Sequence, residues 1–323
     1  MAFTRLAEAA TPTARIGLGL AAVGRPGYIN LGRDRDLPVE RTVDALRERA
    51  QELLDTAYAR GVRYVDAARS YGRSEEFLAD WLRRRPDATD VVVGSKWGYT
   101  YTADWRTDAD VHEIKDHSVA AFDRQYAETR GLLGPRLDLY QIHSVTPDSP
   151  ALTDRVLHDR LARLAAEGVT VGLSTSGPAQ ADAIRAALEV TVDGQPLFRT
   201  VQCTYNLLEP SAGPALAEAH EAGLWIIVKE AMANGRLAAP DAPAAVERVA
   251  EEVGTGRDTL ALAAVLHQPW AGTVLSGAAT ADQLVSNLEA ATVRLDEAQS
   301  ARLAELPEDP AAYWQHRSRL SWA

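Results

Sequence analysis

The sequence predicts an α/β protein that closes into a (β/α)₈ TIM barrel, a single domain with a C-terminal helix and tail. Three observations carry this. Short apolar, β-type runs alternate with helical stretches eight times over, and strand followed by helix argues a parallel sheet. Several helical stretches stop at glycine, as at Arg60-Gly61, Glu167-Gly168 and Ala222-Gly223, where a left-handed C-cap is expected. The competing doubly wound sheet would want a Gly-x-Gly-x-x-Gly turn after its first strand. The early GLGLAAVG run has the wrong spacing and no prompt helix.

The strand-like runs fall at 16–20, 63–66, 91–95, 137–142, 170–174, 200–204, 225–229 and 273–275. Helical patterns lie between and after them at 40–60, 74–84, 117–132, 152–167, 178–189, 213–222, 243–254 and 280–291. Eight such units fit the closed barrel, which occupies about residues 15–292 of one domain spanning 1–323. A last helix is expected at 296–305, followed by a tail rich in aromatic residues, PEDPAAYWQHRSRLSWA. The tail is free to pack outside the barrel or to fold over its mouth.

A chain of 323 residues with 46% hydrophobic and 24% charged residues can bury roughly three-quarters of its surface and needs no covalent staple. Its single cysteine, Cys203, excludes an internal disulfide and a multi-cysteine metal site. The net charge is −11, and the only basic cluster, at 83–85, ends a helical pattern, so no nucleic-acid partner is expected. No run is apolar for long enough to cross a bilayer, and no signal-peptide core is visible, so no membrane partner and a cytoplasmic location are expected. His112 and His117 share a polar loop, but their spacing does not match a helical ligand pair, and no metal is expected. Only three of the 34 basic residues are lysine: Lys96, Lys115 and Lys229. Lysine is a compact point charge that arginine does not imitate closely.

In a β/α barrel the chemistry lies at the C-terminal ends of the strands. The second run ends in Asp66, with Tyr71 on the loop that follows. The third is followed by Lys96 and the fourth by His143. An acid, a phenol, an amine and an imidazole therefore converge on one mouth. Reducing a carbonyl takes a hydride on carbon and a proton on oxygen. A free tyrosine, with pKa about 10, is a weak donor at neutral pH, and an ammonium beside it favours the phenolate. Tyr71 is thus the expected general acid, Lys96 its tuner, Asp66 the anchor of the lysine, and His143 the donor that orients the carbonyl oxygen.

The segments VDAARSYG (65–72), SKWG (95–98) and DLYQIH (138–143), followed by VGLS (171–174), VQCTYNLLE (201–209) and SGA (276–278), resemble the aldo-keto reductases. The resemblance runs from about residue 15 to 292. It implies hydride transfer between NADPH and a small carbonyl compound, without metal. It also implies that Ser174 and Gln202 hold the nicotinamide carboxamide. Gly277, Gln283 and Asn287 would hold the adenosine end. Lys229 and Gly235 are further cofactor candidates, with Lys229 equally able to contact a substrate oxygen or to pair with Glu230. Three positions depart from the family pattern: Thr175 stands where many relatives have Asn, Lys229 where many have a stacking aromatic residue, and 277–287 lacks a basic residue for the 2′-phosphate. NADH therefore stays open beside NADPH.

Trp97 and Trp105 in the loop after the third run, and Trp314 in the tail, are the expected substrate-facing aromatic residues. The acidic loop with Asp104, Asp108, Asp110, Glu113 and Asp116 is expected to disfavour anionic substrates. Two alternatives remain at this point. One is a cofactor-binding regulatory or redox-sensing subunit of the kind found among channel-associated relatives. The other is a metal-dependent barrel hydrolase or lyase using Asp66 and His143. Oligomeric state is not legible.

Overall fold

The structure is a computed structural model that describes residues 2–9 and 11–322. Eight parallel strands close on one another: β1 (Ile16–Gly19), β2 (Tyr64–Asp66), β3 (Val92–Trp97), β4 (Leu139–Val145), β5 (Thr170–Thr175), β6 (Thr200–Thr204), β7 (Trp225–Lys229) and β8 (Thr273–Ser276), which returns to β1. This is the predicted (β/α)₈ barrel. The register sets Gly19 opposite Asp66, Asp66 opposite Gly94, and Gln202 opposite Ser174. Strand β3 runs on through Trp97 and β4 through Val145. Lys96 and His143, expected at the strand ends, therefore stand within the strands, and strands hold a side chain firmly.

Alternation along each strand divides the core in two. Tyr64, Val92, Leu139, Ile227 and Leu275 fill the barrel interior, while Val65, Val93, Ile142, Val201 and Val274 face the helices. Small residues make the interior possible. A Cβ on Gly94 would lie 2.4 Å from the Tyr64 hydroxyl, and one on Gly17 would lie 2.7 Å from the Tyr64 ring. A short helix, α1 (Ala2–Ala7), brings Leu6 and Phe3 against this interior cluster, and the Phe3 ring lies 5.6 Å from that of Trp225.

The helices that wrap the barrel are α2 (Val43–Ala59), α3 (Ser74–Arg84), α4 (Val119–Leu133), α5 (Arg155–Ala166), α6 (Gln180–Leu188), α7 (Gly213–Glu221), α8 (Ala244–Val253), α9 (Arg257–Leu266) and α10 (Ala281–Glu289). Side-chain caps at Thr42, Ser118, Asp154 and Thr280 start four of them. The sequence pattern contained α8 but missed α9, which also lies between β7 and β8. Every residue of α9 from Thr259 to Leu266 is buried, so it shows no polar face and no amphipathic stripe. Two small antiparallel hairpins were also not foreseen. One pairs Tyr99–Tyr101 with Glu113–Lys115. The other pairs Thr191–Val192 with Gln195–Pro196 across Asp193-Gly194, whose positive φ values of 50° and 74° suit a tight turn.

Beyond the barrel, α11 (Glu297–Leu303) starts with a capping box between Asp296 and Gln299. The tail is itself helical over α12 (Pro310–Ser318), and Tyr313 and Trp314 join a second apolar cluster with Leu208, Leu237, Val249 and Leu260. Among the described residues, no helix is long and apolar enough to cross a membrane.

The interior glycines give a direct test. Gly94→Ala forces Tyr64 aside, and we expect a loss of about 1–3 kcal/mol in stability, the usual cost of overpacking. Urea unfolding measures it; an unchanged midpoint would mean that the Tyr64 ring is not wedged.

Candidate active site

The C-terminal ends of β2, β3 and β6 bring two of the expected polar groups, Lys96 and Gln202, onto the Asp66 carboxylate. Asp66 Oδ2 accepts from Lys96 Nζ at 2.5 Å. Its Oδ1 accepts from Gln202 Nε2 at 2.9 Å and from the Tyr64 hydroxyl at 3.1 Å. Lys96 also donates to the Ala67 carbonyl at 2.8 Å, and its ammonium lies 4.8 Å from the centre of the Tyr71 ring. The pair is withdrawn from water, with side-chain exposures of 0% for Lys96 and 2% for Asp66. Burial on this scale is tolerable only because both ions are matched and the remaining lone pairs are used.

Tyr71 is held by its backbone. Its carbonyl would lie 2.4 Å from a Cβ on Gly24, so the loop after β1 and the loop after β2 touch only because residue 24 is glycine. The Tyr71 ring meets the His143 ring edge-on, with centroids 5.5 Å apart and planes at 82°. His143 is the last regular residue of β4. The next residue, Ser144, adopts φ 57°, its N–H donates to Ser174 Oγ at 2.8 Å, and the register shifts there. The His143 carbonyl accepts from His117 Nε2 at 2.8 Å, and the Ser149 hydroxyl lies 2.7 Å from His117 Nδ1. Burial pushes His117 down to about 4, so it is neutral and donates from Nε2. His117, which the sequence left without a role, thus braces His143.

Burial is also the largest influence on the two residues that face the mouth. It raises the Tyr71 phenol well above its ordinary value, with Tyr28 and Asp66 adding to the effect and Arg25 opposing it. It drives His143 well below the ordinary imidazole range, and the positive charges of Lys96, Lys229 and Arg25 push it further. Both side chains are neutral at pH 7. The expectation that Lys96 lowers the resting Tyr71 pKa is therefore corrected: Asp66 absorbs the lysine's charge, and burial dominates the phenol. Burial lowers Lys96 as well, against the opposing pull of Asp66.

Asp66, Tyr71 and Gln202 open onto a cleft also lined by Tyr28, Lys229, Gly235 and Gly277. The cleft shares Asn30, Met232, Gly235 and Gly277 with a longer groove that reaches Gln283 and Asn287. Gln283 Oε1 accepts from Ala279 N at 2.9 Å, and Asn287 sits 2.8 Å from Ser276 Oγ, on the groove floor. Ser174 faces the barrel interior and Thr175, next along the strand, faces outward, so Thr175 does not stand in for an amide at the cleft. The groove does contain basic residues, Arg35 and Arg257, brought from the loop after β1 and the start of α9. Reading 277–287 alone could not find them.

Lys229 ends β7. Its Nζ donates to Thr204 Oγ1 at 2.6 Å and lies 3.8 Å from Glu230. Glu230 adopts φ 59° and is gripped by Arg317 of α12 through Nε at 2.8 Å and through Nη2. Burial would raise Glu230, but Arg317 and Lys229 outweigh it and hold the carboxyl at about 2. Asn206 donates both to the Glu230 carbonyl and to the Tyr313 hydroxyl, each at 3.0 Å. The tail thus packs along the barrel flank and ends at the mouth, where Trp322 meets Tyr28 edge-on at 6.1 Å and stacks on His112 at 4.3 Å.

The three expected substrate-facing tryptophans do not line the cleft. Trp97 is fully buried on the outer face of β3, 5.1 Å from the Phe122 ring, because its neighbour Lys96 takes the inward position. Trp105 packs against the core and donates to the Arg41 carbonyl at 2.7 Å. Trp314 is buried in the second apolar cluster, 6.0 Å from Lys229 Nζ. The acidic loop is engaged locally: Asp108 with Arg106, Glu113 with Arg25, and Asp116 with the Ser118 N–H. Its charge does not define the cleft, which Lys229 also lines. Tyr28 and Arg317 were missed, since neither belongs to a local motif, whereas Glu230 beside Lys229 is the ion-pair neighbour the sequence offers.

Residues 16–308 match the model of the aldo/keto reductase family. The chain is 24% identical over 337 residues to the aldo-keto reductase str7 of Strobilurus tenacellus, covering 96% of each protein. It is 27% identical over 215 residues to the aldo-keto reductase YhdN of Bacillus subtilis (strain 168), covering 65% of this chain and 55% of that one. In fold it is similar to the holo form of the aldo-keto reductase AKR11C1 from Bacillus halodurans, with a TM-score of 0.68 at 20% identity over 94% of this chain and 95% of that one.

The Arg317 grip on Glu230 has a pH signature. Glu230 titrates at about 2 in the fold against 4.5 for the free group, so its stabilisation is complete above about pH 4.5 and is lost as pH falls through about 2. Glu230→Gln is expected to lower stability at pH 7 and to flatten the pH dependence of unfolding in that acid window. Equal acid slopes for both proteins would show that the pair contributes no linked stability.

Proposed function

This chain belongs to the aldo/keto reductase family, and from that premise we propose that it reduces an aldehyde or ketone to an alcohol with a nicotinamide cofactor, NADPH ahead of NADH, using Tyr71 as proton donor. The observation that carries this reading is the contact chain from Asp66 to Lys96, Tyr71 and His143, with Asp66 and Tyr71 lining the cleft and the phenol and imidazole both neutral.

The residues present fit a nicotinamide cofactor. Gln202 uses its amide nitrogen on Asp66, while its Oε1 is buried without a protein partner among the described residues, an acceptor suited to a carboxamide N–H. Gly277 has open space where a Cβ would stand, its nearest neighbour being Asn30 Nδ2 at 3.8 Å, so a ligand can approach the backbone. Gln283 and Asn287 lie farther along the groove, and Arg35 and Arg257 offer cations for a 2′-phosphate. A bound cofactor would supply the hydride.

The chain's own residues then handle the proton. Neutral His143 donates a hydrogen bond that orients the carbonyl oxygen and stabilises charge growing on it. Tyr71 passes its hydroxyl proton to that oxygen. The phenolate left behind lies beside the Lys96 ammonium, which Asp66 keeps charged and aimed. Lys96 acts on the charge that develops during transfer, the only kind of stabilisation that accelerates the step. In place of the three tryptophans, we assign the substrate-facing aromatic wall to Tyr28, against which Trp322 packs edge-on.

Tyr71→Phe is expected to lower kcat on a panel of aldehydes by about 10²–10⁴ with the fold intact by circular dichroism. Full activity in that variant would remove Tyr71 as the donor. Arg257→Ala is expected to weaken NADPH binding by about tenfold and to leave NADH unchanged, the loss of one charge-assisted contact. Calorimetric titration decides it, and equal losses for both cofactors would take Arg257 off the 2′-phosphate.

A further inference from the structure

Lys229 lines the cleft with its side chain 15% exposed, and the proton route through Asp66, Lys96, Tyr71 and His143 makes no use of it. The carboxylate nearest to it does not cancel it. Glu230 lies 3.8 Å away, but its two oxygens are taken by Arg317 and the Thr204 hydroxyl. Lys229, Glu230 and Arg317 together leave one unit of positive charge on this wall. Lys96 and Asp66 cancel one another on the floor, and His143 is neutral. Lys229 lines the same cleft as Gln202, whose free oxygen marks the nicotinamide end on the reading above.

A nicotinamide ring is neutral when reduced and carries a positive charge when oxidised. We propose that Lys229 makes the site sense the redox state of its cofactor, holding the reduced form more tightly than the oxidised form. Glu230 and Arg317 act as positioning residues that set how much of the lysine's charge the ring meets. The inference rests on the hydride-transfer reading and adds to it a bias in cofactor exchange, in which the reduced form is captured and the oxidised form released. In a partly buried cleft with an effective dielectric near 20, repulsion between like unit charges changes affinity on the order of tenfold. By linkage, the same factor makes the oxidised cofactor a weak product inhibitor and shifts the hydride-transfer equilibrium on the enzyme toward the reduced cofactor.

The test is equilibrium titration of the full chain with NADPH and with NADP⁺, followed by calorimetry or intrinsic fluorescence. The quantity is the ratio of the oxidised to the reduced Kd. Lys229→Met is expected to lower that ratio on the order of tenfold, and Lys229→Arg, which keeps the charge, to preserve it. Glu230→Gln is expected to move the ratio the other way, upward, because it removes the one negative charge beside the lysine. A Met variant that binds both forms with the wild-type ratio overturns the proposal. So does a Glu230→Gln ratio that falls, which also serves should the Met variant fail to fold. Wild-type protein that binds neither cofactor removes the hydride-transfer reading itself, a failure separate from an unchanged ratio.

Discussion

Lys96 and Asp66 form an ion pair toward the C-terminal ends of the barrel strands, almost wholly withdrawn from water, and most of the surrounding architecture serves to make it tolerable. Either charge alone in that position would cost several kcal/mol, and the attraction between them offsets the cost only with good geometry and no unused bonds. Tyr64, Gln202 and the Ala67 carbonyl complete the shell. Tyr64 in turn fits only because Gly17 and Gly94 have no side chains. The packing of the barrel interior and the electrostatics of its mouth are therefore one problem, solved by the same residues.

The two sides of the mouth are built differently. Asp66, Lys96 and His143 stand on strands, with His143 braced from behind by His117 and turned by the left-handed Ser144. The opposite wall is assembled from distant segments. Lys229 and Glu230 come from the end of β7, Arg317 from α12, and Asn206 ties the Glu230 backbone to Tyr313. A barrel whose tail contributes an ion pair to its own cleft couples the docking of that tail to the charge of the site.

The neutral state of the two donors follows from the same burial. A buried phenol and a buried imidazole are both pushed toward their uncharged forms, the first upward and the second downward. Each can donate a hydrogen bond while the pH is near neutral. The cations nearby then matter most for charge that appears during a reaction, not for the resting protonation of the tyrosine.

Sequence periodicity by itself determined the barrel, since alternating short apolar runs and amphipathic helices leave few other ways to bury their apolar faces. It also placed Asp66, Tyr71, Lys96 and His143, because residues at the ends of successive parallel strands must meet at one mouth. The scarcity of lysine drew attention to Lys96 and Lys229 before any contact was known. Helix α9 stayed hidden because a helix buried on every side has no stripe, and Trp97 was misplaced because one extra strand residue turns a side chain to the other face. The Thr204 bond of Lys229, the Arg317 grip on Glu230, the basic groups of the groove and the rise in the Tyr71 pKa were decided by tertiary structure alone. Arg317 is 87 residues from Glu230 along the chain, and no local pattern records which distant segment will supply a charge or remove water.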